Sequence, residues 1–182
     1  GETVIVGLSG GADSTVLLHI LLSLKVELGI SIKACHINHN LRGKESDGDE
    51  NFVRALCERL EVPLTVFGID VKGSSSKHES LEETARKLRY REFERLCREE
   101  GARLATAHTA SDNAETVLIN MVRGTGTKGL SGIPPVRDYI IRPLIRCTRE
   151  EIEEYCIKNG ISFVTDSSNL TDDYTRNKIR HK

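Results

Sequence analysis

Apolar positions along this chain come in runs separated by polar turns, and the spacing within each run assigns it a backbone. Residues 3–8, Thr-Val-Ile-Val-Gly-Leu, are a short β-rich run, and residues 15–28 are predominantly apolar. Ser9-Gly-Gly-Ala-Asp-Ser14 lies between them, so the order reads as buried strand, tight glycine turn, buried helix. Residues 31–37 and 63–69 are further strands, with an amphipathic helix over 49–60 between them. The polar segment 72–77 reads as a flexible loop. It precedes Ser80-Leu-Glu-Glu83, a capping box that opens a long helix to about residue 100. Residues 103–107 form a fourth strand ending at His108, residues 110–122 a helix, and residues 124–132 a glycine-rich stretch. Thr148-Arg-Glu-Glu151 is a second capping box, and Gly160 supplies that helix with its stop.

Strands alternating with helices predict an α/β fold, a Rossmann-like parallel sheet flanked by helices and joined by right-handed crossovers. Ligands of such sheets gather beyond the carboxyl ends of the strands. Three polar stretches fall at those ends: residues 9–14, 36–42 and 108–115. Their convergence says more than any one of them.

In the first stretch Gly10 and Gly11 permit a backbone whose N–H groups form an anion-holding nest at a positive helix end. Ser9, Ser14 and Thr15 could add hydroxyl donors. No Gly-Lys-Ser/Thr follows, so this is not a Walker A loop, and the dinucleotide G-x-G-x-x-G is also missing. Asp13 would repel a phosphate unless Mg²⁺ lies between them; otherwise it caps the helix. In the third stretch Ala110, Ala114, Val117, Leu118 and Met121 share one helical stripe, while Asp112 and Glu115 lie together on the opposite face. Such a pair can hold an ammonium group, a metal ion or a proton in transit, or it can complement the helix dipole. His36 and His39 could grip a nucleotide or serve as polar plugs. Arg86, Lys87, Arg89, Arg91 and Arg95 read as a solvated face on a helix that turns Leu81, Ala85, Leu88, Phe93 and Leu96 inward. Residues 176–182 are a basic tail.

Composition trims the alternatives. With 26 Lys plus Arg against 27 Asp plus Glu, the net charge of -1 offers no global attraction to nucleic acid, and without Trp no base-stacking surface is advertised. A length of 182 residues predicts one domain, 1–182, and no apolar run is long enough to span a membrane. Five cysteines without C-x-x-C spacing argue against a zinc knuckle, an iron–sulfur site or a disulfide framework, and fit small core residues in a reducing cytoplasm.

Ser9-Gly-Gly-Ala-Asp-Ser14 resembles the PP-loop of the N-type ATP pyrophosphatases, whose fold is adenine nucleotide alpha hydrolase-like. Further segments are similar, in order, to the bacterial tRNA(Ile)-lysidine synthetases: residues 36–42, 80–90, 105–116, 123–130, Arg142-Pro-Leu144 and 173–180. The resemblance implies a cytoplasmic ligase. ATP adenylates the C2 oxygen of the wobble cytidine of tRNA(Ile) with a CAU anticodon, and free L-lysine then displaces AMP. A homodimer is compatible with it. Catalytic roles are implied for Asp13, Asp112, Glu115 and Arg176, with Arg180 joining Arg176 on phosphate. Nucleotide binding is implied for Ser9, Gly10, Gly11, Asp13, Ser14, His36, Asn38, His39 and His108. Asp13 would sit beside Mg²⁺, and Asp112 and Glu115 would take the lysine ammonium. Free lysine, with a pKa near ~10.4, must lose a proton before it attacks. Ser111 stands where the family often has an acid, and family members normally continue past the Arg-Asn-x-x-Arg segment into tRNA-binding regions, so the chain reads as a catalytic-domain fragment. Two other readings are tRNA thiolation on the same scaffold, which generally needs paired cysteines, and a nucleotide-binding module without chemistry.

Overall fold

The computed structural model describes residues 1–40, 44–74, 79–126 and 130–164. Its elements are β1 (Thr3–Gly7), α1 (Ala12–Leu24), β2 (Ser31–Asn38), α2 (Lys44–Arg59), β3 (Leu64–Gly68), α3 (Val71–Ser74), α4 (Leu81–Glu100), β4 (Arg103–Ala105), α5 (Ala110–Val122), β5 (Val136–Arg137), β6 (Ile140–Ile141) and α6 (Arg149–Asn159). One sheet carries the strands in the order β3-β2-β1-β4-β6-β5. All neighbouring pairs run parallel except β5, which is antiparallel to β6. The chain builds outward from β1 to β3 and then returns to the other side of β1, so the strand order reverses between β1 and β4. The carboxyl ends at such a reversal leave a crevice.

Alternation along β1 sends Val4 and Val6 to one face and Ile5 to the other, and each face has its own core. Val4 and Val6 meet α1, α2 and α6 through Leu17, Leu18, Val53, Leu56 and Ile152. Ile5 meets α4 through Phe93 and Leu96, together with Cys35 and Leu104. Leu17 and Leu18 have no exposed surface, and each such side chain contributes about 1.5–3 kcal/mol. Phe93 passes so close over β1 that a Cβ on Gly7 would lie 3.2 Å from its Cζ. Gly7→Ala is therefore expected to lower stability by about 1–3 kcal/mol, read as a drop in thermal midpoint.

The structure moves several predicted boundaries. The apolar run taken as helix to residue 28 stops at Leu24, because beyond it Val26 and Leu28 face solvent, 85% and 53% exposed, with no core to meet. α2 begins at Lys44 rather than at residue 49, its polar first turns held by a nearly buried Ser46. Within the polar stretch 72–77, Val71–Ser74 form one helical turn, closed by Gly73 N–H donating to Asp70 Oδ1 at 2.9 Å and seated by the buried Val71; residues 75–78 lie outside the described residues. At Ser80 only half of the capping box forms: Ser80 Oγ accepts from Glu83 N–H at 3.1 Å, but the Glu83 carboxylate meets the Ser80 hydroxyl instead of its backbone. The second box, Thr148 with Glu151, is complete, and Gly160 ends α6 at φ 60°. Leu81, expected inside, is 47% exposed.

Candidate active site

Gly10 turns the chain out of β1 at φ +94°, and its carbonyl is held by Thr15 Oγ1 at 3.3 Å and by Val164 N–H at 2.9 Å. Ser14 Oγ accepts from Ser9 N–H at 3.1 Å and donates to Gly11 O at 3.1 Å. Ser9 Oγ accepts from Gly11 N–H at 3.3 Å. The hydroxyls expected to reach a ligand thus brace the loop's own backbone. Gly11 is the N-cap of α1 and no side chain caps that helix, which leaves its positive end to an incoming anion.

That helix end opens into a cavity of about 530 Å³ at the strand reversal. From the loop come Ser9, Gly11, Asp13 and Ser14, and from the end of β2 come His36, Asn38 and His39. Thr106 and His108 follow β4, and Asp112 arrives from the first turn of α5. Asp13 and Asp112, far apart in sequence, therefore face one space. Gly10 lies beneath the lining, and Glu115 is buried one turn further along α5, off the cavity surface. Arg176 and Arg180 lie outside the described residues.

Asp112 does more than complement a dipole. Its Oδ2 accepts from Thr109 N–H at 2.8 Å and from Thr109 Oγ1–H at 3.0 Å, while Thr109 Oγ1 accepts from Asp112 N–H at 3.3 Å, a complete capping box. The box fixes the carboxylate at the cavity wall. The apolar stripe opposite it does not pack inward as sequence patterning suggests: Leu118 and Met121 are 47% and 57% exposed, while Glu115 is on the buried side. α5 is secured by polar bonds instead, Ala110 N–H to Cys147 O at 2.9 Å and Ile133 N–H to Asn113 Oδ1 at 2.7 Å.

His36 is buried with Nδ1 2.8 Å from Leu8 O, which fixes the ring at the end of β1. Asn38 donates to Glu50 Oε2 and accepts from Asn40 N–H, both at 2.9 Å, so its amide organises the turn after β2. His108 Nδ1 lies 2.9 Å from Thr106 Oγ1. Burial pushes the His108 imidazole down to about 4, so it lines the cavity as a neutral group at pH 7.

The cavity also contains residues the sequence did not single out as chemical. Arg149 and Glu153, paired at 2.8 Å on α6, line it, and the Glu153 bond, with the charges of Glu153 and Asp13, holds the Arg149 guanidinium above its ordinary range. Phe163 sits at the rim. Arg89 and Tyr90 enter from α4. Their signal was present: Arg89 is four residues from both Ala85 and Phe93, which places a charge on the inward stripe rather than on the solvated face. Cys35, Cys57, Cys97 and Cys156 are buried, as expected of core residues, and Cys147 is half-buried. Burial raises the thiols of Cys35 to about 12 and of Cys57 and Cys97 to about 11, which makes them poor nucleophiles.

A glycine-turned anion loop at the strand reversal of a largely parallel sheet defines an adenine nucleotide alpha hydrolase-like protein. The chain belongs to the PP-loop domain family, whose sequence profile matches residues 1–182. It is 45% identical over 182 residues to a tRNA(Ile)-lysidine synthase of Clostridium acetobutylicum, covering 98% of this chain and 40% of that protein. It is 46% identical to the tRNA(Ile)-lysidine synthase of Bacteroides thetaiotaomicron, covering 98% of this chain and 42% of that one. The chain thus spans about two-fifths of the length of these curated relatives. A solved structure, the U34-tRNA thiolase NcsA from Methanococcus maripaludis with its [4Fe-4S] cluster, shares the fold at a TM-score of 0.81 and 21% identity, over 100% of this chain and 64% of that one.

A PP-loop family uses ATP, and the uncapped helix end with its braced glycine loop fits a phosphate chain. Among the described residues no group of three or more His, Cys, Asp or Glu could hold a metal by itself. Mg²⁺ commonly binds through one or two carboxylates plus phosphate oxygens and water, and Asp13 in the first turn of α1 fits that manner of binding. No helix among the described residues is long and apolar enough to cross a membrane.

Proposed function

We propose that this protein is a cytoplasmic ligase that adenylates the C2 oxygen of the wobble cytidine of tRNA(Ile) with a CAU anticodon, and then joins free L-lysine to C2, giving lysidine, AMP and pyrophosphate. The observation that carries the reading is the meeting of Asp13 and Asp112 in one cavity, a phosphate loop on one side and a fixed carboxylate on the other. In the first step the base oxygen attacks the α-phosphorus and pyrophosphate leaves onto the end of α1, with Asp13 beside Mg²⁺. Mg²⁺ would offset charge on the phosphates. Ser9, Gly10, Gly11 and Ser14 shape the loop, and His36, Asn38, His39 and His108 line or set the nucleotide's side of the cavity. In the second step the lysine ε-ammonium, held by Asp112 with Glu115 behind it, gives up a proton and its lone pair attacks C2, releasing AMP. Arg176 would steady the departing phosphate.

Lysidine synthases among the relatives at 45–46% identity favour this chemistry over thiolation. The thiolase likeness, at 21% identity, is one of fold. The cysteines point the same way: the thiols of Cys35, Cys57 and Cys97, raised by burial, do not suit sulfur transfer. Incubating the full-length gene product with ATP, Mg²⁺ and tRNA(Ile) is expected to give tRNA-dependent pyrophosphate release, and radiolabelled lysine is expected to enter the tRNA. Label entering only from sulfide would replace this reading with thiolation. ATP binding without pyrophosphate release would reduce the protein to a binding module.

A further inference from the structure

Where α4 meets the cavity, positive charge gathers around one aromatic ring. Tyr90 lines the cavity, with the guanidinium carbons of Arg86 and Arg89 lying 5.1 and 5.6 Å from its ring centroid. Behind it, beside the end of β6, Arg142 is only 7% exposed. Arg142 Nη1 donates to Pro134 O at 2.7 Å and its side chain hydrogen-bonds Tyr90, yet its buried Nε has no hydrogen-bond partner. A buried guanidinium without a full set of partners is costly, and a negative charge nearby offsets part of that cost. Asp112 and His108 line the same cavity. The charges of Arg142, Arg86 and Arg89 act on the His108 imidazole against that of Asp112, and the ring stays uncharged between the two.

A cavity lined by the Asp112 carboxylate and by Arg89 and Tyr90, with Arg86 and Arg142 held against Tyr90, matches a zwitterion. We propose that the Tyr90 hydroxyl and the arginines around it, backed by the buried Arg142, receive the α-carboxylate of the amino acid whose ammonium lies at Asp112, so that the site selects an amino acid over the bare amine. Arg142 acts here as a positioning residue: it holds the Tyr90 hydroxyl and adds its charge from behind the wall. The inference rests on the lysine-transfer reading above. It goes beyond that reading in assigning the recognition of the substrate's carboxylate, for which Asp112 and Glu115 have the wrong sign.

The test compares L-lysine with cadaverine, which keeps the reacting amine and lacks the carboxylate. A site built to hold a charged group rejects the analogue lacking it strongly. In the full-length protein kcat/KM for lysine is expected to exceed that for cadaverine by about 10²-fold or more. Arg142→Gln is expected to cut that ratio at least about tenfold by lowering the lysine value alone, Tyr90→Phe to cut it in the same direction, and Arg142→Lys to restore part of it. General disturbance of the fold would lower both amines together, so the ratio separates recognition from packing. If lysine is transferred and the ratio is the same in wild type and Arg142→Gln, this inference is wrong and the function stands. If the wild-type protein transfers neither amine, both fall.

Discussion

Asp13→Ala is expected to lower pyrophosphate release from ATP by about 10³-fold while leaving the fold intact. Asp13 stands in the first turn of α1 and faces the cavity. Its worth to the helix is a dipole interaction of about 0.3–1 kcal/mol, too little to unfold a domain with two cores. Its expected worth to the reaction is much larger, because Asp13 would hold the Mg²⁺ that offsets charge on the triphosphate where the α–β bond breaks. The companion variant Asp13→Asn keeps the size and a carbonyl oxygen of the side chain and removes only its charge. Adenylation as low in Asn as in Ala assigns the role to the charge. Adenylation near wild type in Asp13→Asn would show that the Asp13 charge is not needed for the reaction. Isotope exchange between pyrophosphate and ATP in the presence of tRNA, beside a thermal melt of each variant, provides both measurements.

Much of this architecture was legible in the sequence because its signals were local. The β1–loop–α1 corner needs only a β-rich run, two glycines and an apolar helix, and α5 occupies residues 110–122 as the pattern predicts. The parallel sheet followed from alternation, although β5 and β6, two residues each and set by pairing with β4 and with each other, left no periodic trace. The site was readable in the Ser9–Ser14 loop and at the strand ends, where polarity interrupts apolar runs. It was unreadable where a residue's meaning depends on distant packing. Arg89 looked like one more charge on a helix until Phe93 was seen buried over Gly7. Arg149 and Phe163 reach the cavity only because α6 and the irregular residues 161–164 after it fold back onto the loop, Val164 N–H bonding Gly10 O. α5 misled in the opposite sense: its apolar stripe implied an inward face, but the helix is fixed by its polar start and keeps Glu115 inside.

The same polar start makes Asp112→Asn the most informative change in the second half-reaction. Asparagine keeps a carbonyl oxygen for the Thr109 N–H that Asp112 Oδ2 now accepts at 2.8 Å, so α5 is expected to begin where it does and the side chain to keep its place. What disappears is the negative charge that, on the proposed reading, would hold the ammonium and take its proton. Adenylation, which the proposal assigns to the Ser9–Ser14 loop, is expected to proceed, and adenylated tRNA to accumulate. Lysine transfer is expected to fall about 10²–10⁴-fold, the range for loss of a positioned acid or base. Label from the α-phosphate of ATP retained on tRNA, followed over time with and without lysine, reads both steps in one experiment. Glu115→Gln is expected to give the same accumulation, acting from beneath the cavity surface. Normal lysine transfer by Glu115→Gln beside a blocked Asp112→Asn would confine the amine site to Asp112. Normal transfer by both would remove the amine from this wall altogether, since no other carboxylate from α5 is positioned there among the described residues.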